Sequence, residues 1–133
     1  MSSSDNKQLL QRIFAGLANG DSRLLVESMD DDFRWLVTGN TKWSRTYEGK
    51  QSVLSELLGE LRSRIEGSIK TTAQRFIAED DLVVVEARGS NVTKTGLPYN
   101  NSYCFVFRLS NGKLKEVTEY LDTELVTSTF GSQ

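Results

Sequence analysis

The sequence predicts a single α+β domain in which helices come first and an antiparallel sheet follows. The first half repeats apolar residues at helical spacing, whereas the second half alternates apolar and polar residues as strands do. Asn111-Gly112 lies between two alternating segments, and this dipeptide suits the positive-φ positions of a type I′ hairpin turn. Helices followed by strands are typical of an α+β fold with the helices on one face of the sheet. The length, 133 residues, is that of one domain spanning residues 1–133.

Three helices are predicted before residue 68. The first has an apolar face from Leu9 to Leu17 behind a possible cap at Ser4 or Asp5, and Asn19-Gly20 ends it. The second is short and is capped by Asp21, and the third runs from Gly49 to Gly67. The third helix has the broadest apolar stripe, formed by Val53, Leu54, Leu57, Leu58, Leu61 and Ile65.

Five strands are predicted around these helices and after them. They are residues 33–38, 68–78, 82–91, 99–109 and 114–122, with a loop over 39–48. The alternation within 99–109 places one set of side chains on a common face: Tyr99, Asn101, Tyr103, Phe105 and Phe107. In the last strand Glu119 shares a face with Val117 and Leu121.

Polar groups among the aromatic residues of these strands predict a ligand pocket rather than a dry core. Asn101 lies between two tyrosines, and Glu119 lies between apolar residues, although a buried polar group needs a partner. Trp35, Trp43 and Tyr47 are expected to supply further walls, as in pockets for small organic molecules.

Two simpler interpretations remain open at this stage. The aromatic residues are also compatible with an ordinary core, with their polar ends at its rim. Glu119 is also compatible with a solvated position, paired across the sheet with Arg88 or Arg108.

Composition excludes several kinds of chemistry. The chain has no histidine and one cysteine, so it contains neither a Ser–His or Cys–His nucleophile nor a tetrahedral zinc site, and we expect no cofactor. The net charge of −2 and the absence of a basic block argue against nucleic acid as a partner. Apolar runs are too short for a membrane span, and the first residues do not resemble a secretory signal, so the expected compartment is the cytoplasm.

Four segments carry a resemblance to a known family: 99–103 (Tyr-Asn-Asn-Ser-Tyr), 105–108 (Phe-Val-Phe-Arg), the 110–113 turn and 119–123 (Glu-Tyr-Leu-Asp-Thr). Together with the Tyr47-Glu-Gly opening of the third helix, they resemble the SnoaL-like polyketide cyclases. This group is related to ketosteroid isomerase within the nuclear transport factor 2-like superfamily. The resemblance extends over roughly residues 5–130.

The resemblance implies a cone-shaped, curved antiparallel sheet with the N-terminal helices on its concave face, a cystatin-like α+β barrel. It also implies a deep pocket and a homodimer formed through the outer sheet face. Glu119 matches the family's acidic residue on the last long strand, with Asp122 as second choice. Ala87 and Gly89 stand where the epoxide hydrolases have an Arg–Asp pair, which argues against epoxide hydrolysis, and residues 36–37 supply no counterpart to the isomerase base.

The leading hypothesis is an isomerase, cyclase or lyase acting on an apolar carbonyl compound. Glu119 is the predicted base, and Tyr103 and Asn101 are the predicted donors to a developing enolate oxygen. The predicted ligand-binding residues are Trp35, Trp43, Tyr47, Phe105, Val117 and Leu121. The alternatives are a non-catalytic homodimer that binds a small ligand in the same pocket, and an association role of the outer face carrying Glu86, Arg88 and Arg108.

Overall fold

The structure, a computed structural model, describes residues 2–131. The helices are α1 (Ser3–Leu17), α2 (Arg23–Ser28), α3 (Lys50–Ser52), a π-helical segment (Val53–Leu58), α4 (Gly59–Arg62) and α5 (Thr123–Phe130). The strands are β1 (Met29–Val37), β2 (Thr46–Glu48), β3 (Thr71–Glu79), β4 (Leu82–Gly89), β5 (Asn91–Val92), β6 (Pro98–Tyr99), β7 (Ser102–Ser110) and β8 (Lys113–Leu121). No helix within residues 2–131 is long and apolar enough to cross a membrane.

Six strands form one sheet in the order β2-β1-β8-β7-β4-β3. The predicted α+β class is confirmed, with α1 packed across β3 and β4. Two details differ from the expected antiparallel barrel: β8 enters the sheet between β7 and β1 and runs parallel to β1, and the sheet is open, with β2 and β3 at its edges. β8 pairs antiparallel to β7 through the hairpin, and β1 runs in the same direction as β8.

The first helix begins earlier than the sequence predicts. Ser2 is its N-cap, and the Ser2 hydroxyl accepts a hydrogen bond from the Asp5 backbone N–H while the Asp5 carboxylate accepts one from the Ser2 N–H. This reciprocal pair is a capping box, which satisfies two donors that the first turn leaves without partners. The predicted apolar face is buried in the core through Leu10, Ile13 and Phe14.

The predicted third helix is interrupted by a wide turn. Residues 53–58 are π-helical, and the backbone N–H of Gly59 donates to the carbonyl of Leu54, five residues earlier. A Cβ atom at position 59 would lie 2.9 Å from that carbonyl oxygen, so glycine allows the close approach. Such π-turns are rare and often occur beside functional sites. The helix ends at Arg62 rather than at Gly67.

The strand predicted over 99–109 is broken at residues 100–101. Tyr99 pairs with Asn91 in a separate two-stranded ribbon, and β7 begins at Ser102. The Asn101 side chain is completely buried at this break. Its Oδ1 accepts hydrogen bonds from the backbone N–H groups of Ser102 (2.8 Å) and Asp122 (3.0 Å). Its Nδ2 donates to the Asp122 carbonyl and to the Tyr99 hydroxyl, each at 3.1 Å. The amide therefore pairs with the β8 end as a strand backbone would.

Three further segments complete the comparison with the sequence. The hairpin is as predicted, since Asn111 and Gly112 have φ values of 52° and 76°. The segment 39–48, predicted as a loop, contains β2, which pairs with β1. The last helix, α5, was not predicted, and its N-cap is Asp122, whose carboxylate accepts a hydrogen bond from the Leu125 N–H.

Replacing Asn101 with alanine should lower the free energy of unfolding by about 2–3 kcal/mol, because two partly buried backbone N–H groups and one carbonyl lose their partner. Urea denaturation of Asn101→Ala against wild type measures this difference. The matched control is Asn40→Ala, at an exposed loop position, which should change stability little. Equal stability of both variants would contradict the structural role given to Asn101.

Candidate ligand-binding and active site

A cavity of about 180 Å³ lies between the helices and the inner face of the sheet. Its wall is mainly apolar and comes from almost every part of the chain. The helices contribute Phe14, Leu17, Leu25, Leu57, Leu58 and Leu61, the sheet contributes Trp35, Val37, Phe105, Phe107 and Leu121, and the C-terminal helix contributes Val126 and Phe130. The π-helical segment and α4 thus direct Leu57, Leu58 and Leu61 toward the same cavity.

Glu119 is the acidic residue of the cavity wall within residues 2–131. Its side chain points inward from β8, between Val37 of β1 and Phe105 of β7, its neighbours in the sheet. Only 8% of the residue is exposed. The Trp35 indole Nε1 donates a hydrogen bond of 2.7 Å to Glu119 Oε1. On the backbone, the Glu119 carbonyl accepts hydrogen bonds from the Thr38 N–H and the Thr38 hydroxyl, which hold the strand in place.

This placement decides between the two interpretations of Glu119. Arg108, one of the cations considered as its partner, lies on the other face and pairs with Glu116 at 3.2 Å. The alternation predicted for the last strand holds, since Val117 and Glu119 are buried and Tyr120 is 52% exposed. The carboxyl is therefore an internal group of the cavity.

Burial raises the pKa of Glu119 to about 7, because the charged form loses its water, although the Trp35 hydrogen bond partly opposes this shift. The carboxyl therefore exists in both protonation states near neutral pH. A group with this property can take up and release a proton at comparable cost, as a general acid–base catalyst must.

Tyr103 stands beside the acid and lines the cavity. Its ring stacks on Phe105 with the ring centres 5.1 Å apart. Burial raises the pKa of Tyr103 well above its ordinary value, with smaller contributions in the same direction from Tyr99 and Glu119. The hydroxyl therefore keeps its proton and can act as a hydrogen-bond donor.

The structure does not bring every predicted residue to the cavity. Trp35, Trp43, Phe105 and Leu121 line it with Glu119 and Tyr103. Asn101 does not, and its amide group is already engaged within the fold, so it has no free donor for a ligand oxygen. Two predicted wall residues lie one layer behind: the Tyr47 hydroxyl donates to the Trp43 carbonyl at 2.8 Å, and Val117 is packed beside Trp35 in the sheet.

Trp43 offers the donor that Asn101 lacks. It lines the cavity and is only 8% exposed, and its indole Nε1 has no hydrogen-bond partner within residues 2–131. Its ring packs against Phe130, with the centres 5.5 Å apart. A buried donor without a partner costs about 1–3 kcal/mol, which an acceptor on a ligand would relieve. Sequence reasoning identified Trp43 as wall only, because nothing in a linear pattern shows whether an indole N–H finds a partner.

No group of three or more His, Cys, Asp or Glu side chains within residues 2–131 is placed to hold a metal ion. The inner wall of the cavity offers one carboxyl and two tyrosine hydroxyls, with the Trp43 indole N–H as a further donor. Arg62 and the hydroxyl groups of Ser22, Ser68 and Thr71 also line the cavity.

Comparison with known proteins agrees with the fold. The chain belongs to the SnoaL-like domain family, whose model matches residues 10–117. Uncharacterized proteins of Mycobacterium tuberculosis and Mycobacterium bovis are 19% identical to it over 130 residues, which cover 98% of each chain.

Three solved structures are similar to this chain at low sequence identity. An NTF2-like protein of unknown function from Burkholderia pseudomallei has a TM-score of 0.81 at 17% identity, covering 97% of this chain and 98% of its own. A proposed SnoaL-like polyketide cyclase from Jannaschia sp. has a TM-score of 0.76 at 18% identity, covering 98% of this chain and 94% of its own. TerC, co-crystallized with polyporic acid, has a TM-score of 0.78 at 19% identity, covering 94% of this chain and 97% of its own. These similarities show a shared fold.

The raised pKa of Glu119 predicts a specific pH dependence of stability. The folded-state value of about 7 lies above the ordinary value of 4.5, so between these limits the unfolded chain ionises while the folded chain holds its proton. The free energy of unfolding should therefore fall as the pH rises from about 4.5 to 7, by about 3 kcal/mol for this group.

The measurement is urea denaturation of wild type and Glu119→Gln between pH 4 and 8. Glutamine does not titrate, so the stability difference between the two proteins isolates Glu119 from all other groups. As the pH rises through this range, the free energy of unfolding of wild type should fall relative to that of the variant. A difference that is independent of pH would contradict the raised pKa.

Proposed function

We propose that this protein binds a small apolar carbonyl compound and that Glu119 acts on it by general acid–base catalysis, as in an isomerase, cyclase or lyase. The observation that carries the proposal is the Glu119 carboxyl, buried in an apolar cavity with a pKa of about 7. A carboxyl that only stabilised the fold would gain more from a cationic partner than from an apolar wall.

The chemistry follows from the groups around the acid. Ionised Glu119 removes a proton from the carbon next to the ligand carbonyl, and the electron pair moves to the carbonyl oxygen to form an enolate. The Tyr103 hydroxyl and the Trp43 indole N–H are the donors proposed to stabilise that oxygen. The protonated Glu119 then returns the proton to the same or another carbon, or the enolate closes a ring or expels a leaving group.

The volume of the cavity limits the size of the ligand. A dry cavity of roughly 150 Å³ in another protein admits benzene. The cavity of about 180 Å³ in this protein therefore suits a compound with one ring, or an apolar chain of similar volume. The apolar wall favours a ligand with few polar atoms beyond its carbonyl group.

A non-catalytic binding role is the second candidate. It is favoured by the presence of a single carboxyl in the cavity wall, because acid–base enzymes often use two titrating groups with well-separated pKa values. Similarly folded TerC was crystallized with polyporic acid, and the similarly folded Jannaschia protein is a proposed SnoaL-like polyketide cyclase. The fold itself is therefore compatible with small-molecule binding of either kind.

The decisive test uses a ketone probe of suitable size, 1-phenylpropan-2-one. In D₂O the protein should accelerate exchange of the protons next to its carbonyl, followed by NMR, and Glu119→Gln should lower the exchange rate at least ~10²-fold. The matched control is Glu79→Gln, which removes an exposed carboxylate at the end of β3 and should exchange like wild type.

Binding of the same probe is measured separately. Both tryptophans of the chain line the cavity, so a change in intrinsic fluorescence reports occupancy. Binding without exchange would overturn catalysis and favour the binding role. Exchange that persists in Glu119→Gln would contradict Glu119 as the base.

We also propose that two copies of the chain associate through the outer face of the sheet. The strand registers place Ile77, Val84, Val106, Thr118 and Leu36 in one row across five strands. This row lies on the face opposite the cavity, and Ile77 and Leu36 are 50% and 37% exposed. An exposed apolar row across a sheet is a typical surface for association.

The charges beside this row favour a second copy over a partner of opposite charge. Arg34 and Arg108 both contact Glu116, and Arg75 contacts Glu86 at 2.7 Å. Because these charges are largely neutralised within the chain, the face offers little net charge to a strongly charged partner.

Light scattering after size-exclusion chromatography should give twice the mass of the 133-residue chain. Val106→Glu should give the mass of a single chain, because it places a charge in the middle of the row. The matched control, Leu97→Glu, changes an exposed leucine outside the six-stranded sheet and should remain dimeric. A monomeric wild type would contradict the proposal, and circular dichroism shows whether Val106→Glu is folded.

A further inference from the structure

The cavity has a polar rim at one end, which the proposed chemistry does not use. Among its lining residues, Arg62 and Ser68 are the exposed ones, and Ser22 and Thr71 beside them are half-buried. These residues come from the end of α4, the turn between α1 and α2, and the segment that enters β3. Because these lining residues are in contact with solvent, the cavity opens between these three segments.

The rim is tightly built on one side. A Cβ atom at Gly20, in the turn between α1 and α2, would come within 2.1 Å of the Ser68 hydroxyl oxygen. The two segments therefore touch across the rim, and Gly20 has a positive φ of 77° that favours glycine. Contact between these segments fixes the position of the hydroxyl groups relative to the opening.

Arg62 is the cationic side chain of the cavity wall within residues 2–131. It forms neither a salt bridge nor a side-chain hydrogen bond in the described part of the chain. The nearby acid on the same helix, Glu60, is engaged by Arg64 through two hydrogen bonds. The guanidinium at the opening is therefore available to a group outside the chain.

We propose that the ligand of this cavity is an apolar carboxylic acid whose carboxylate lies at the rim and pairs with Arg62. The proposal rests on the proposed function, since it names the chemical class of ligand for the same cavity. A carboxylate is planar and accepts two parallel hydrogen bonds from a guanidinium, which is the geometry arginine recognises best.

Charge also fixes the direction of the ligand. The inner end contains the Glu119 carboxyl surrounded by aromatic rings, so a second carboxylate there would be repelled and without a counter-charge. At the opening the same group meets a cation, hydroxyl groups and water. The apolar body of the acid therefore enters first and carries the carbonyl group of the proposed function to the Glu119 end, and its carboxylate stays outside.

The test compares 3-phenylpropanoate with its uncharged analogue 3-phenylpropanamide, using tryptophan fluorescence to follow binding. Wild type should bind the acid about fivefold more tightly than the amide, as expected for a partly solvated ion pair. Arg62→Gln should abolish this preference, so that it binds acid and amide equally, and Arg62→Lys should retain part of it. The matched control is Arg12→Gln, an exposed arginine of α1 outside the cavity wall, which should retain the full preference.

Each other result is informative. Equal binding of acid and amide by wild type, or the same preference in Arg62→Gln, would overturn the inference and leave the ligand-binding cavity intact. Failure of both probes and of 1-phenylpropan-2-one to bind wild type would overturn the proposed function, and the inference with it. Circular dichroism shows whether Arg62→Gln is folded.

Discussion

The hydrogen bond from Trp35 to Glu119, 2.7 Å long within an apolar wall, is the interaction on which the candidate site depends. It joins β1 to β8, which pair in parallel, and it fixes one oxygen of the carboxyl. Without a cation beside it, the acid retains a pKa of about 7. With a cationic partner in the same place, the pKa would be low and the group would stay ionised at neutral pH. The low polarity of the wall is thus as important to the site as the acid itself.

The buried polar groups of this protein fall into two kinds according to whether the fold satisfies them. Asn101 makes four hydrogen bonds within the chain and replaces a missing piece of strand, which gives it a structural role. Two buried side-chain atoms lack a partner within residues 2–131, the Trp43 indole N–H in the cavity wall and Asn6 Oδ1 outside it. The Arg62 guanidinium at the rim of the cavity is exposed and is also unpaired in the described part of the chain. Fold stability alone explains the first kind, whereas the second kind costs stability or specificity unless a ligand is present. This contrast supports a cavity that is built for an occupant.

Sequence reasoning was reliable where a periodic pattern continued without interruption. The alternation in β8 correctly placed Glu119 and Val117 on a common face, which the structure shows to be the buried one, and Asn111-Gly112 correctly marked the hairpin. It failed where the backbone is irregular. The strand is broken at residues 100–101, so Asn101 lies outside the site, and a pattern of helical spacing does not show the π-turn that follows Ser52. Arg62 and the free Trp43 donor were missed because they depend on which side chains meet in space, and periodicity carries no such information.

The central claim, that a buried carboxyl poised between its two protonation states defines this cavity, is tested most directly by observing that carboxyl. The measurement is a ¹³C NMR titration of the glutamate side-chain carboxyl carbons, with the Glu119 signal assigned by its absence from Glu119→Gln. The account predicts a midpoint near pH 7 for this carbon, well above the ordinary glutamate value of 4.5. A midpoint near the ordinary 4.5 would show that the carboxyl is solvated and ionised, and would contradict the account.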